Sequence, residues 1–470
     1  MLTPPKPHGK QDAYPTQTSW QAGCLPHQTP RALAPRTMQQ QPHPPSENAL
    51  LSWCSLWLPT LLILLAIVVP DFESRHARSA AGVEVETDLI AMMASENSVR
   101  ERLFQITLLG LAAVGGGLFF MAGRDGRKPA SFHVWIIVAS AIFVAASMLW
   151  SDDRGLTFRR SAITGLFLIG AWGVGRAWRP MQLVHLVLLL SAVFAMTGII
   201  AEAYYGTLLG GDGYRFSGLL HPNRQALSCG LFVLAAVTKQ AQTGNRLYWL
   251  LALLGYGLLI LTGSRGGALA CGVAVAFQVF LVTPASQRIA WGLLAGFLIG
   301  TGLLFLALDP SSGSRLEKLA KMGRSDALAD PKSLTGRIPI WFEMIEGIQA
   351  RPVIGHGFSA YWTPDRIRRL SYIHDWDFNN AHSSYLEILL SVGIVGFGLI
   401  FVGIASIFAR GLQLFHRTRD LGLSFILAMF VMGLVSGLIE SIFVSTGYEF
   451  LVALIGGFMI VYYPSVGHST

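Results

Sequence analysis

Residues 378–397 read "FNNAHSSYLEILLSVGIVGF" and change from polar to apolar in the middle. The first half holds amides, a histidine and two serines, and the second half opens an apolar run that continues to about residue 409. About 20 apolar residues are enough to cross the hydrocarbon core of a bilayer as a helix. The stretch therefore predicts a transmembrane helix with a polar entrance, at which His382 stands.

The composition of the whole chain also indicates a membrane protein. Of its 470 residues, 52% are hydrophobic and 13% are charged, and the mean hydropathy is +0.49. A soluble domain carries about 25% charged residues. The net charge of +8 does not indicate nucleic-acid binding, because the basic residues are scattered between apolar runs. We therefore predict an all-α, polytopic integral membrane protein.

Apolar runs of spanning length recur along the chain, and we predict about 12 transmembrane helices. The sixth and eighth runs are short or rich in small residues. The candidate spans are 50–69, 103–122, 131–149, 160–177, 181–204, 219–238, 246–262, 266–283, 288–308, 384–409, 421–442 and 447–463.

The first 48 residues differ from the rest, since they hold ten of the 22 prolines and several glutamines. Such a stretch cannot bury enough apolar surface to offset ordering, so we predict a disordered cytoplasmic Pro/Gln-rich tail. No short apolar core with a cleavage site follows a charged start, so the first apolar run is interpreted as a retained helix. The predicted regions are the tail at 1–48, a membrane domain with spans 1–9 at 49–308, a long loop with short helices at 309–383, a membrane domain with spans 10–12 at 384–464, and a cytoplasmic tail at 465–470.

The short loops suggest an orientation. Lys and Arg are roughly twofold denser in the loops that are cytoplasmic when the amino terminus is cytoplasmic. This orientation places three polar stretches on the outer face: "GGDGYRFSGLLHPNRQA" (210–226), "LTGSRGGAL" (261–269) and the loop 309–383. A loop as long as the third is usually functional.

Two arginines in these stretches have unusual positions: Arg265 is a candidate anion ligand, and for Arg215 the alternative is an ordinary loop arginine near the lipid headgroups. Arg265 lies in "GSRGG", where flanking glycines and a serine remove bulk and expose backbone donors. Arginine at membrane depth costs about 2.5–3.5 kcal/mol, so it usually faces a polar partner, and a phosphate accepts its planar fork bidentately. The alternative is an arginine that snorkels to the lipid boundary. Arg215 begins "RFSGLLHPN", a loop that returns to the membrane through two leucines.

The long loop contains "TGRIPIWFEMIEGIQARPVIGHGFSAYW", which predicts a short amphipathic helix and then a turn. Pro339 suits its first turn, with Arg337 at its start, and Arg351-Pro352 ends it. The predicted apolar face recurs at helical spacing and consists of Ile338, Trp341, Ile345 and Ile348. Two glycines then favour a tight turn around His356. The alternative interpretation is an interfacial helix that lies on the lipid with its Trp and Ile side chains buried.

His382 titrates near neutrality, so it could accept a proton from a hydroxyl. The alternative is a helix-start histidine that hydrogen-bonds to backbone, which spacing alone favours. Glu387, further into the span, could orient a polar site or pair with an arginine. Asp375 and Asp377 form a D-x-D pattern, which is too weak a signal to assign a metal.

Four motifs in order resemble the O-antigen ligase and polymerase superfamily: "RFSGLLHPN", "TGSRG", "GRIPIW…ARPVIGHG" and "AHSSYLEILLSVGIVG". The resemblance covers roughly residues 50–465. It implies a metal- and cofactor-independent glycosyltransferase of the bacterial inner membrane whose site faces the periplasm. The donor would be a glycan on undecaprenyl pyrophosphate, and the acceptor a sugar hydroxyl on the lipid A core or on another lipid-linked chain.

Carried onto this chain, the resemblance makes Arg215 and Arg265 ligands of the donor pyrophosphate and His382 the group that activates the acceptor. The substrate site would also include Arg337, His356, Asn380 and Glu387. The family usually has Asn directly after the histidine, where this chain has Ser383, and Asn380 is the candidate substitute.

The predicted function is that of an O-antigen ligase-like enzyme of lipopolysaccharide or cell-surface polysaccharide biosynthesis. The nearest alternative is an O-antigen or exopolysaccharide polymerase of the same superfamily. A transporter or flippase of lipid-linked sugars ranks lower, since transporters place polar features near the bilayer midplane. The sequence implies no nucleic-acid partner and leaves the oligomeric state open.

Overall fold

The computed structural model describes residues 58–62, 87–122, 129–209, 214–218, 220–284, 287, 334–374, 380–443 and 447–464. Every regular element in these ranges is a helix, as predicted. The predicted tail at 1–48, the span at 288–308 and the D-x-D pair lie outside the described residues. The helices are α1 (Thr87–Ala122), α2 (Ser131–Ala146, extended by a 3₁₀ turn at Ser147–Leu149), α3 (Arg154–Ala177), α4 (Pro180–Tyr204), α5 (Pro222–Thr243), α6 (Leu247–Leu261), α7 (Arg265–Val282), α8 (Leu334–Ala350), α9 (Pro364–His374), α10 (Ser384–Thr418), α11 (Leu421–Ser436) and α12 (Tyr448–Val461).

Four of the described helices are long and apolar enough to cross a membrane: α2 with its 3₁₀ turn, α4, α7 and α10. Shorter apolar segments lie in α1, α6, α11 and α12. The chain is thus a multi-pass membrane protein. Ten of the predicted spans overlap described helices, the span at 50–69 lies mostly outside the described residues, and the total of 12 stays a prediction.

Helix α11 forms the centre of the bundle. It packs against α4, α5, α7, α10 and α12. Its residues Leu423, Phe425 and Ile426 have no exposed surface. A helix that is apolar on all sides is typical of such a buried position.

Helices α1 and α3 approach each other through glycines. A Cβ atom at Gly173 would overlap the backbone of Gly115, and one at Gly115 would lie 2.6 Å from the Cα of Gly170. Small residues allow this close backbone packing, which drives helix association where both surroundings are apolar.

Helix α10 is interrupted at Gly393, where φ is +63°. The turn that follows α8 fills the break: Ile394 N–H donates to Pro352 O (2.9 Å), and His356 N–H donates to Leu390 O (2.8 Å). Gly355 has the positive φ (+68°) that this predicted glycine turn requires. The turn satisfies backbone groups that the break exposes, so it is locked into the membrane helix.

Helix α8 differs in two respects from the prediction. It begins at Leu334, five residues before Pro339, and its buried residues include Ile340 (2% exposed) and Met344 (0%), whereas Ile345 is 41% exposed. Ile340 and Met344 pack against Trp362 and against other side chains of the loop and of α10. The apolar face is therefore set by protein contacts.

The predicted span 421–442 is also too long, because α11 ends at Ser436. Beyond it, Ile442 N–H donates to Ser384 Oγ (2.9 Å), and Ser384 Oγ donates to Glu440 O (2.8 Å). These contacts satisfy backbone groups that a continued helix would pair internally. We call residues 437–443 the bridge segment.

Candidate functional site

Arg215 is fixed between the first two sequence motifs. Its Nε donates to Thr262 O (2.7 Å), and its Nη2 donates to Asn223 Oδ1 (2.9 Å). The adjacent Phe216 N–H donates to Leu261 O (2.8 Å). Gly263, at φ +63°, leaves room for the half-buried guanidinium, since a Cβ there would lie 3.2 Å from Arg215 Nε. The structure thus joins "RFSG" directly to "TGSRG".

Glu202 holds residues 214–218, the loop that contains Arg215, through hydrogen bonds, a role that the sequence analysis missed. Its Oε1 accepts hydrogen bonds from Ser217 N–H and Gly218 N–H, both at 2.8 Å, and the Tyr214 hydroxyl donates to Oε2. The residue is 2% exposed. Burial and the bond to Glu202 raise the pKa of Tyr214 above its ordinary range. The available signal was one acidic residue near the end of an apolar span, which usually has a specific partner.

Arg265 is the first residue of α7 and is half-buried. The Ser264 hydroxyl caps the helix by accepting from Gly267 N–H (3.3 Å). Gly266 lies so close to Ile439 of the bridge segment that a Cβ would overlap it. Arg265 therefore stands at a helix amino terminus, where unpaired N–H groups and the helix dipole favour an anion.

His382 lies before α10 in a left-handed conformation, with φ +47°. Its N–H donates to Asn380 Oδ1 (2.9 Å), an Asx-type turn that stabilises this backbone. A non-glycine residue held at positive φ costs about 1–3 kcal/mol and persists only where its surroundings fix it. The side chain of Asn380 contacts the backbone N–H of His382, which fits the supporting position that the sequence suggested.

The residue before His382 is held at both of its backbone groups. Ala381 N–H donates to Glu387 Oε1 (2.7 Å), and Ala381 O accepts from Trp341 Nε1 in α8 (3.1 Å). Glu387 is 3% exposed and also accepts from Trp362 Nε1 (2.9 Å). The sequence left two roles open for Glu387, namely orienting a polar site or pairing with an arginine. These contacts match the first role. The buried carboxylate and the indole restrict where His382 sits.

The bridge segment connects the arginine side of the site to the histidine side. Asn223 Nδ2 donates to Glu440 Oε1 (2.6 Å), and Asn223 in turn accepts from Arg215. On the other side, Ser441 Oγ donates to Asn380 Oδ1 (3.3 Å). A continuous series of contacts therefore runs from Arg215 to the His382 segment.

Residues 249–402 match the family model described as O-antigen ligase. The resemblance to the O-antigen ligase and polymerase superfamily is confirmed. The matched region includes Arg265, Arg337 and His382, whereas Arg215 precedes it. The chain is also 23% identical over 344 residues to "Exopolysaccharide production protein ExoQ" of Rhizobium meliloti (strain 1021), covering 68% of this chain and 74% of that protein.

In the glycine turn after α8, His356 has both ring nitrogens in contact with protein. Nδ1 lies 2.9 Å from Asp152 Oδ2, Nε2 lies 2.9 Å from Gly347 O, and the residue is 5% exposed. Asp152 also pairs with Arg351 (2.9 Å) and Arg366 (3.4 Å). These contacts describe a histidine that ties the glycine turn to the loop after α2. Its assignment to substrate binding stays a prediction.

The backbone of Arg337 lies in the first turn of α8, one turn before the Trp341 that contacts Ala381. This position brings the third predicted arginine to the helix that supports the histidine segment. Among the described residues, no group of three or more His, Cys, Asp or Glu side chains is placed to hold a metal ion.

An apolar cavity of about 340 Å³ adjoins the candidate site. Its walls come from α2, α3, α10, α11 and α12, and residues of the site segments, Phe358, Ile388 and Phe443, also line it. Phe443 N–H donates to the Oγ of Ser384 (3.2 Å), and Ser384 lies two residues after His382. Ligand pockets are commonly about 300–1,000 Å³, so the volume suits part of an apolar ligand.

Proposed function

We propose that this chain transfers a glycan from undecaprenyl pyrophosphate to a sugar hydroxyl at the periplasmic face of the bacterial inner membrane. It acts as a ligase in lipopolysaccharide or cell-surface polysaccharide biosynthesis. The observation that carries the proposal is the series of contacts from Arg215 through Asn223 and the bridge segment to the His382 segment. These contacts link the segments that carry Arg215 and His382, and Gly266, next to Arg265, lies against the same bridge segment, which supports a shared site for the three residues.

In this reaction the acceptor oxygen attacks the anomeric carbon of the donor. The new carbon–oxygen bond forms as the bond from that carbon to the phosphate oxygen breaks, and undecaprenyl pyrophosphate leaves with the electron pair. Arg215 and Arg265 neutralise the developing charge on the leaving group, because a guanidinium stays protonated and donates bidentately to phosphate. Arg337 is a further candidate ligand of the same diphosphate.

His382 takes the proton from the acceptor hydroxyl. A positioned general base contributes about 10²–10⁴-fold to the rate. The left-handed backbone of His382 and the contacts of Asn380 and Glu387 support this role, because they fix the histidine before substrate arrives. We assign His356 to support of the glycine turn, since both of its ring nitrogens contact protein.

The apolar cavity supports a lipid-linked donor. Its walls include two of the candidate membrane helices, α2 and α10, and its lining reaches the segment that follows His382. A polyprenyl chain in this cavity would reach the segment that follows His382.

The second candidate is a polymerase of the same superfamily, which the named relative in exopolysaccharide production favours. Deletion of the gene separates the two. Full-length glycans that accumulate on the lipid carrier indicate a ligase, whereas a lipopolysaccharide cap with a single repeat indicates a polymerase.

The activity is tested with protein purified in nanodiscs, a synthetic pyrophosphate-lipid donor and the acceptor glycan of the producing strain. His382→Ala is expected to lower the transfer rate by about 10²–10⁴-fold while donor binding is retained. The matched control is Arg246→Ala, an exposed residue in the loop before α6. Movement of donor lipid across the bilayer of sealed proteoliposomes, with no glycosidic bond formed, would instead establish a transporter.

A further inference from the structure

Glu440 of the bridge segment touches both halves of the site through different atoms. Its side-chain Oε1 accepts from Asn223 Nδ2 (2.6 Å). Its backbone oxygen accepts from Ser384 Oγ (2.8 Å) and from Ser384 N–H (3.2 Å), at the start of α10. One residue thus links the segment after His382 to the residue that holds Arg215.

The chemistry of Asn223 gives the Glu440 side chain a defined consequence. A carboxylate accepts hydrogen bonds, whereas an amide has one donor end and one acceptor end. With Glu440 bound to the amide nitrogen, the amide oxygen faces Arg215 and accepts from its Nη2 (2.9 Å). If the amide rotated by half a turn, it would present a donor to the guanidinium, which is also only a donor.

We propose that Glu440 is a positioning residue of the donor site. Through Asn223 it fixes the orientation of the Arg215 guanidinium, and through its backbone it holds this arrangement in register with the histidine segment. This inference rests on the proposed function, because it takes Arg215 to be a ligand of the donor diphosphate. Arg215 Nε is held separately by Thr262 O, and the contact with Asn223 holds Nη2 of the same planar group.

Binding of undecaprenyl pyrophosphate, without glycan and without turnover, is the probe. Its dissociation constant is measured with the full chain in phosphatidylethanolamine and phosphatidylglycerol nanodiscs, for the wild type, Glu440→Ala, Glu440→Gln, Asn223→Ala and the double variant Glu440→Ala/Asn223→Ala. The controls are Glu346→Ala and Asn245→Ala, two exposed residues outside the network. The melting temperature is recorded for every variant.

Glu440→Ala and Asn223→Ala are each expected to weaken binding about 10-fold, the range for one hydrogen bond to a charged group. The double variant is expected to bind no more weakly than Asn223→Ala, because the side chain of Glu440 acts through the amide. Glu440→Gln keeps an acceptor for Asn223 Nδ2, so it should bind within about twofold of the wild type.

Several results would overturn the inference. Unchanged binding by Glu440→Ala would do so, and so would additive losses in the double variant, which would show that Glu440 acts independently of Asn223. If Glu440→Ala does not fold, Asn223→Ala and Glu440→Gln decide the question, since equal binding by these two variants contradicts the proposed orientation. A wild-type protein that does not bind the lipid would refute the donor site and hence the proposed function itself.

Discussion

Removal of the Glu202 carboxylate tests how the arginine loop is built. Glu202→Ala leaves Ser217 N–H and Gly218 N–H without their common acceptor, in a place where Glu202 itself is 2% exposed. Each buried donor that loses its partner costs about 1–3 kcal/mol, so the loop should lose about 2–6 kcal/mol of local stability. Because 1.4 kcal/mol corresponds to a factor of ten, the lower limit is about a 30-fold rise in the opening equilibrium.

The direct measurement is amide hydrogen exchange of residues 214–218, followed by mass spectrometry, since exchange reports the free energy of local opening. We expect at least about 30-fold faster exchange in Glu202→Ala, together with weaker binding of the donor lipid. Glu202→Gln retains an oxygen acceptor for both N–H groups and should lose only about 1 kcal/mol, because a neutral acceptor forms weaker bonds than a carboxylate.

Tyr214→Phe is the matched control, because it removes the hydroxyl that donates to Glu202 and leaves both N–H bonds in place. Its exchange at Ser217 and Gly218 should stay close to that of the wild type. Unchanged exchange of these two amides in Glu202→Ala would refute the view that this carboxylate organises the loop.

Two other predictions concern the turn locked into α10. Gly393→Ala should lower the stability by at least about 1–3 kcal/mol, because φ is +63° and the new Cβ would overlap the backbone of Val353. Gly398→Ala is the control in the same helix, since a Cβ there meets no atom within 4 Å among the described residues, and equal melting temperatures would contradict the argument. His356→Ala should cost about 1–3 kcal/mol by removing the contacts with Asp152 and Gly347 and should leave donor affinity within about twofold. Weaker donor binding at an unchanged melting temperature would instead support the substrate contact predicted from sequence.

The helices of the membrane domain were predictable because each helix that crosses the bilayer needs about 20 apolar residues, and such runs are visible in the sequence. The motif residues Arg215, Arg265 and His382 were predictable as candidates because each stands at the polar end of such a run. The end of α11 was not predictable in this way. Residues 437–443 remain apolar enough to extend the helix, and only the contacts of Ser384 with the bridge segment decide otherwise.

The supporting acids were harder to find than the arginines, although Glu202 and Glu440 both adjoin apolar runs. Their side-chain partners are 12 or more positions away in the chain, as with Tyr214 for Glu202 and Asn223 for Glu440. The free-energy cost of burying a carboxylate indicates that the group needs a hydrogen-bonding partner, but it does not identify that partner. His356 was predicted to lie in a glycine turn, but its ring contact with Asp152, from the loop after α2, could not be predicted from the sequence.

Assembly of the proposed donor site is coupled to packing of the membrane core. Arg215 is held by Thr262 after α6 and by Asn223 at the start of α5, and Asn223 is held by Glu440 just beyond α11. The bond between Asn223 and Glu440 joins the start of α5 to the segment after α11, and α11 packs against both α5 and α7. An isolated loop peptide would lose conformational entropy when each of these side chains became ordered, and it would lack the helix packing that offsets this loss. Substitutions in α11 that leave all polar groups intact should therefore weaken donor binding in proportion to their loss of packing, because the arginine geometry is a property of the folded bundle.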